Sequence, residues 1–401
     1  MTAYASAAAG AWQATMETAY LESVLSGATA TPAELRPYYE SFADLHSKRL
    51  WHQLTQQIEA FLRHPASQQR PLHIDLYEHF VKRFAQHVNH LKLARFGVIV
   101  SRQYADASEA LAFLQALARE HDVPEKQDAF VLLTMEAAHF QLPPGDLEIT
   151  KAAMDRCSKI LDTFDAVEPQ VHASFYRVCG DYHKARAEYA DYYRNTLLFL
   201  ACIHVDTDMS ASERVQCAHD LGISALLGDT IYNMGELLLH PILAALRDSE
   251  HAWLSDMLFA FNAGDIGRFE ALLPHVQQTP ILAASVPFLR QKICLMALME
   301  NVFRRPTNDR TLSFATIAAE TRIPVDEVEH LVMKALCLQL LHGSLDEVAQ
   351  LVRITWVQPR VLDAAQTQAL FERLEQWSDR VQQVAQFVQA QSPELLAPAR
   401  G

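Results

Sequence analysis

The sequence predicts an all-α chain: a helical-repeat solenoid, then a winged helix carrying a small β wing, then one long C-terminal helix. Three observations predict it. Only 12 glycines occur in 401 residues, and long runs rich in Ala, Leu, Glu and Gln dominate, the composition of helical proteins. The dipeptide Gly-Asp recurs at 145, 180, 228 and 264, as expected of helical hairpins stacked in series. Residues Pro287 to Val357 read as helix, short strand, helix, turn, helix and two strands, the order of a winged helix.

The repeats come first, over residues 1–280. A Gly just past a helix takes the left-handed backbone that ends it, and a neighbouring Asp accepts the first free N–H groups of the next helix. Gly145-Asp146, Gly180-Asp181, Gly228-Asp229 and Gly264-Asp265, spaced by 35, 48 and 36 residues, therefore read as hairpin joints. The alternative is four unrelated helix caps. The flanks favour joints: Tyr182, Ala185 and Tyr189 after one, and Ile266, Phe269 and Leu273 after another, fall at i, i+3 and i+7 of a packed helix face. Asp106 opens a further helix with a Leu111, Leu114, Leu117 stripe. The repeats resemble the degenerate tetratricopeptide type. Breaks are expected at Pro143-Pro144, at Pro241 and around Pro274 to Pro280. The Ala-, Thr- and Ser-rich segment Met1 to Ala30 is expected to be partly disordered at its start.

The winged helix follows, over residues 285–357. Its first helix runs from Pro287 to Arg304. A strand spans Arg310 to Ser313, a short helix Phe314 to Thr321, and a turn Arg322-Ile323-Pro324. The would-be recognition helix, Val325 to Leu341, buries Val325, Val328, Leu331, Val332, Ala335 and Leu338. The wing strands are Leu341 to Asp346 and Val352 to Val357, with Val352, Ile354 and Trp356 alternating with Arg353, Thr355 and Val357. Residues 363–391 form the last helix. Its Leu370, Leu374, Trp377, Val381, Val384 and Val388 step by 4, 3, 4, 3 and 4, a heptad seam suited to packing along other helices. It reads as a partner-binding element, with docking on its own winged helix as the alternative.

Charge narrows the function. The net charge is −14, which disfavours nucleic-acid or anionic-membrane binding. The recognition helix opens with Asp326, Glu327 and Glu329 and has one cation, Lys334, so a phosphate backbone would be repelled. Residues 285–357 hold eight Arg or Lys and eight Asp or Glu, a neutral module that fits a protein partner better than DNA. No run of 18 apolar residues marks a membrane span. Met1 to Gly10 has no cationic region and does not read as a secretory signal. The six cysteines, at 157, 179, 202, 217, 294 and 337, form no C-x-x-C pair and read as reduced, mostly buried thiols.

No catalytic, cofactor or metal constellation is found. Glu136 and His139 have the Glu-x-x-His spacing of di-iron bundles but no second copy. His87 and His90 are three apart without a third ligand nearby in sequence. Nucleotide-binding, metalloprotease and hydrolase signatures are absent. A metalloenzyme using Glu136 and His139 and a transcriptional winged-helix protein remain the competing readings from other classes.

A helical solenoid running straight into a winged helix resembles the PCI family, structural subunits of the proteasome lid, the COP9 signalosome and translation initiation factor 3. The motifs most similar to the lid branch are Phe261-Asn262-Ala263-Gly264-Asp265, Leu289 to Asn301, Ile323 to Glu329 and Leu331 to Leu336. Gly343 to Val348 and Thr355-Trp356-Val357-Gln358-Pro359-Arg360-Val361-Leu362 complete the set. Within that branch they look like the non-ATPase subunit 13 family. The likeness is strong over the last 130 to 140 residues and looser before them.

The resemblance implies a non-catalytic scaffold of the 26S proteasome regulatory particle, in cytoplasm and nucleus, supporting assembly and ubiquitin-dependent degradation. It implies contacts with other PCI subunits through winged-helix edge strands, and a bundle of C-terminal helices. In this chain those expectations fall on Arg353, Ile354, Thr355, Trp356 and Val357, taken as an edge, and on the seam Leu370 to Val388. A scaffold of the signalosome or of initiation factor 3 is the alternative within the family.

Overall fold

Helix dominates, as the low glycine count predicts. The computed structural model describes residues 20–26, 32–68, 71–142, 147–164, 167–305, 309–362 and 364–391. The expected disordered start, the Gly145-Asp146 joint and the Pro143-Pro144 break lie outside the described residues. The chain divides into two units, Met1–Ser210 and Ala211–Gly401. The end of the predicted repeat span thus shares a unit with the winged helix.

In the first unit the helices of eight or more residues are α1 (Arg36–Ser47), α2 (Trp51–Arg63), α3 (Leu72–His79), α4 (His90–Ser101), α5 (Ala107–Glu120), α6 (Gln127–Gln141), α7 (Leu147–Leu161), α8 (Pro169–Ala185) and α9 (Tyr189–Cys202). Helices α1 and α2 bury one stripe each, whereas α4 and α6 are buried on nearly all sides, from Leu91 to Ser101 and from Ala129 to Ala138. Tyr39, Phe42, Phe61 and Phe80 are fully buried and meet largely edge to face, with Tyr39 and Phe61 5.4 Å apart. Leu114 and Leu117 of α5 are buried, as their spacing predicts.

Of the three Gly-Asp joints among the described residues, one is realised in full. Gly264 adopts φ +66° and ends its helix, and the Asp265 side chain accepts the Arg268 N–H that opens the next. Gly180 lies inside α8, and the turn comes instead at Ala187, with φ +57°. Its role is close packing: a Cβ there would stand 3.2 Å from Thr196 Oγ1 of α9. Consequently Tyr182 is buried, Ala185 is exposed and Tyr189 starts the following helix. Gly228 follows the end of a helix, but Asp229 opens none.

The second unit contains α10 (Ala211–Leu227), α11 (Ala252–Ala263), α12 (Ile266–Gln278), α13 (Val286–Arg304), α14 (Phe314–Thr321), α15 (Val325–Cys337) and α16 (Ala364–Gln391). Pro274 sits within α12, so the expected break comes only at Thr279 and Pro280. Strands β1 (Thr311–Ser313), β2 (Leu341–Asp346) and β3 (Leu351–Val357) form an antiparallel sheet in the order β1-β3-β2. Its apolar face joins α13, α14 and α15 in one core that includes Leu295, Met299, Ile317, Val328, Leu331, Val332, Val352 and Ile354. Helix α15 ends at Cys337, four residues short of the predicted Leu341. Val325 and Leu338, predicted inward, are 40% and 37% exposed, because each stands at an end of the helix, beyond the packed face.

Lys292 ties this core to α10. Its ammonium is buried and donates to the carbonyls of Ala225, Leu226 and Gly228 at 2.8, 3.1 and 2.6 Å. Three donors thus meet the free carbonyls at a helix C-terminus, where a cation is favoured.

Candidate protein interface

The acidic start of the recognition helix faces solvent. Asp326 and Glu327 are exposed in the first turn of α15, where the helix dipole favours carboxylates. Lys334, its one cation, donates to Gln291 Oε1 at 2.5 Å. Beside the turn lies a groove of about 630 Å³ lined by Arg290, Arg322, Glu270, Glu327 and His330 among others. Arg322 pairs with Glu270 at 2.9 Å. Cations matched by carboxylates make a poor clamp for phosphate.

The wing corrects one expectation. The strand that holds Arg353 to Val357 is the inner one of the sheet: Arg353 pairs with Thr311 on one side and with Ser344 on the other, while Trp356 and Val357, beyond the end of β1, pair with β2 alone. Spatial strand order is not written in chain order: β1 was legible as a strand, but not the partner it would pair with. The free edges are β1 and β2, and on β2 His342, Gly343 and Ser344 are exposed. Ile354 is a core residue, 5% exposed.

Trp356 departs from the expected alternation because the register shifts between His342 and Gly343, leaving Thr355 without an opposite residue. A bulge of that kind reverses the faces beyond it. Trp356 turns outward and stacks on His342, ring centroids 4.5 Å apart, while Val357 packs against the core.

Helix α16 is exposed throughout residues 367–388. Leu370, Leu374, Trp377, Val381, Val384 and Val388 range from 38% to 65% exposed, with Trp377 at the top. Docking of this seam on its own winged helix is therefore not what the chain does. Phe371 and Phe387, 58% and 65% exposed, widen the seam. A strict 4-3 count missed them because each sits one residue beside a seam position.

At its root the same helix is held firmly. Arg360 Nη1 donates to Glu300 Oε2 at 2.6 Å, with side chains 5% and 11% exposed. Arg360 Nη2 donates to the Asn262 carbonyl and, at 3.0 Å, to Asn262 Oδ1. Arg304 Nε takes the other Glu300 oxygen at 2.9 Å. Val361 fills the space above Gly235, where an added Cβ would lie 2.4 Å from Val361 Cβ.

The chemical candidates acquire structural partners instead. Glu136 accepts from Ser174 Oγ at 3.0 Å, and His139 Nδ1 lies 3.3 Å from Asp181 Oδ2. His87 stacks on Trp51, and His90 stands beside His121. Among the described residues one further group gathers three ligand atoms, His183, Glu188 and Asp191. Its members are already engaged: His183 with Glu188 at 2.7 Å, Arg186 with Glu188 at 3.1 Å, and Asp191 with Arg194 at 3.5 Å. The His183 bond, then Arg186, hold the Glu188 carboxyl below its usual range. This group closes the α8–α9 turn.

The cysteines are free, and burial pushes Cys157 and Cys179 up to about 12, where thiols are inert. Cys202, Cys217 and Cys294 are half-buried, and Cys337 is exposed at the end of α15, so fewer of the six are buried than expected. No helix among the described residues is long and apolar enough to cross a membrane.

Comparison with known proteins agrees with this architecture. Residues 38–258 match the family described as PSD13 N-terminal repeats, and residues 271–356 match the PCI domain. A probable 26S proteasome regulatory subunit rpn9 of Schizosaccharomyces pombe is 41% identical over 362 residues, 90% of this chain and 94% of that protein. The 26S proteasome non-ATPase regulatory subunit 13 homolog A of Arabidopsis thaliana is 38% identical over 385 residues, 94% of this chain and 98% of its own. A shorter likeness, 26% over 190 residues and 45% of this chain, relates it to translation initiation factor 3 subunit M of Aspergillus terreus.

Proposed function

Since this chain belongs to the family of 26S proteasome non-ATPase regulatory subunit 13, we propose that it is a structural subunit of the proteasome lid. In this reading it performs no catalysis and supports ubiquitin-dependent degradation by holding the regulatory particle together, in cytoplasm and nucleus. The observation that carries the reading is the open seam of α16. Eight large apolar side chains, Leu370, Phe371, Leu374, Trp377, Val381, Val384, Phe387 and Val388, stand exposed on one helix, which calls for a partner. Helices of neighbouring subunits suit the heptad spacing. The outer edge of β2 offers a second contact, by strand addition to another PCI subunit, with Arg353, Thr355 and Trp356 on the adjoining surface.

Affinity purification of the tagged full-length chain with mass spectrometry tests this. Lid and other 26S subunits are expected. Recovery of signalosome or initiation factor 3 subunits without proteasomal ones overturns it. Trp377→Ala should weaken lid incorporation by about 2 kcal/mol, the typical worth of a central aromatic. A duplex-DNA shift assay at moderate salt should be blank.

A further inference from the structure

We propose that Arg360 and Val361 are positioning residues that lock the root of the C-terminal helix, so that its open seam is presented in one direction before any partner arrives. The inference rests on the assembly role proposed above for that helix. It concerns a different part of the chain, the link of residues 358–362 that follows β3.

This short link is gripped at Gln358, Arg360 and Val361. Gln358 N–H donates to the Leu340 carbonyl at 2.9 Å, which extends the sheet one rung beyond β3. The Arg360 guanidinium then crosses to two helices at once, to Glu300 of α13 and to the backbone and side chain of Asn262 of α11. Its planar fork suits such a two-sided grip, which the single point charge of lysine does not reproduce. Glu300, shared with Arg304, leaves neither carboxylate oxygen without a cation. Val361 completes the lock by seating where residue 235 has no side chain.

The burial contrast locates the hinge that this lock removes. The Arg360 side chain is 5% exposed, whereas Leu370 is 43% and Trp377 65% exposed. A 28-residue helix extends about 42 Å at 1.5 Å per residue. A loose joint at its base would let the seam sweep a large volume, and that freedom would be lost on each docking event. Fixing the root beforehand lowers the ordering cost of association, as preorganisation does elsewhere. An isolated salt bridge placed for stability alone needs no carbonyl contact on a second helix and no matching socket.

The test separates root from seam in the full-length chain. Spin labels introduced through an unnatural amino acid at Gln278 and Gln382 report the direction of α16 relative to the body of its own unit. The parent chain should give one narrow distance distribution. Arg360→Ala, and independently Gly235→Ala, which displaces Val361 without touching the ion pair, should broaden it. Both should slow incorporation into a reconstituted lid roughly tenfold, with helical content unchanged. Arg360→Lys should rescue only partly. A broad distribution in the parent chain, or a narrow one in both variants, overturns the proposal. So does normal incorporation of both variants when deletion of residues 364–391 blocks it, an outcome that leaves the assembly reading standing. Normal incorporation of that deletion overturns both.

Discussion

Helices α15 and α16 carry the same kind of apolar stripe and meet opposite fates. On α15, Val328, Leu331, Val332 and Ala335 are all under 7% exposed, sealed against α13, α14 and the sheet. On α16, the larger Leu370, Leu374, Trp377 and Val381 stand at 43% to 65%. Helical periodicity states that a face must be covered but not by what. Where the covering element is in the same chain, the stripe becomes core. Where no element of the chain covers it, as on α16, the stripe stays open to solvent. The difference gives two classes of residue that look alike in sequence and should fail differently when changed.

The sharpest way to break that distinction is a matched pair of substitutions. Val332→Asp places a carboxylate in the winged-helix core without a partner and should cost about 4 kcal/mol or more. Val381→Asp, at a seam position 47% exposed, should change the stability of the isolated chain by less than about 0.5 kcal/mol while blocking incorporation into the lid. Denaturant unfolding and reconstitution measure the two effects. A large loss of stability from Val381→Asp would mean that α16 is core after all.

Lys292 sharpens the comparison from the buried side. Burial pushes its ammonium down from an ordinary 10.5 to about 7, with Asp229 pulling the other way. Between those two values the unfolded chain holds a proton that the folded chain releases. Stability should therefore rise as pH climbs through that window and fall as pH drops toward 7. Lys292→Met should remove this slope. It should also cost about 1–3 kcal/mol at high pH, because the carbonyls of Ala225, Leu226 and Gly228 lose their donor.

Legibility in the sequence followed the same divide between local and long-range causes. Helix Phe314–Thr321 and strand Leu341–Asp346 were readable to the residue, because caps, turns and alternation are local. Gly264-Asp265 was readable for the same reason. Gly180 was not, since a glycine that ends a helix and one that lets α9 approach look identical without the neighbour. The edge assignment failed at Arg353 because β1 pairs from about forty residues away. Trp356 failed because one bulge, set by the partner strand, reverses the faces after it. The root lock is longer in range still: Arg360 and Asn262 are 98 residues apart, and a lone arginine after a proline carries no mark of its partner.

The smallest expected effect bears on the acidic start of α15, where the contrast between a groove-reading helix and a protein-facing one is finest. Asp326 is exposed in the first turn, so its carboxylate acts on the free N–H groups of the helix start through solvent. Asp326→Asn should cost only about 0.3 kcal/mol, the low end for an exposed charge at a helix terminus, and less in high salt. DNA affinity should not appear even in Asp326→Asn combined with Glu327→Gln. Removing two repelling charges creates no phosphate contact, because Arg322 stays paired with Glu270 and Lys334 with Gln291. Salt-dependent duplex binding by that double variant would show that acidity alone had kept the helix out of a groove. Its absence would assign the missing DNA contact to the way these cations are already spent on the fold.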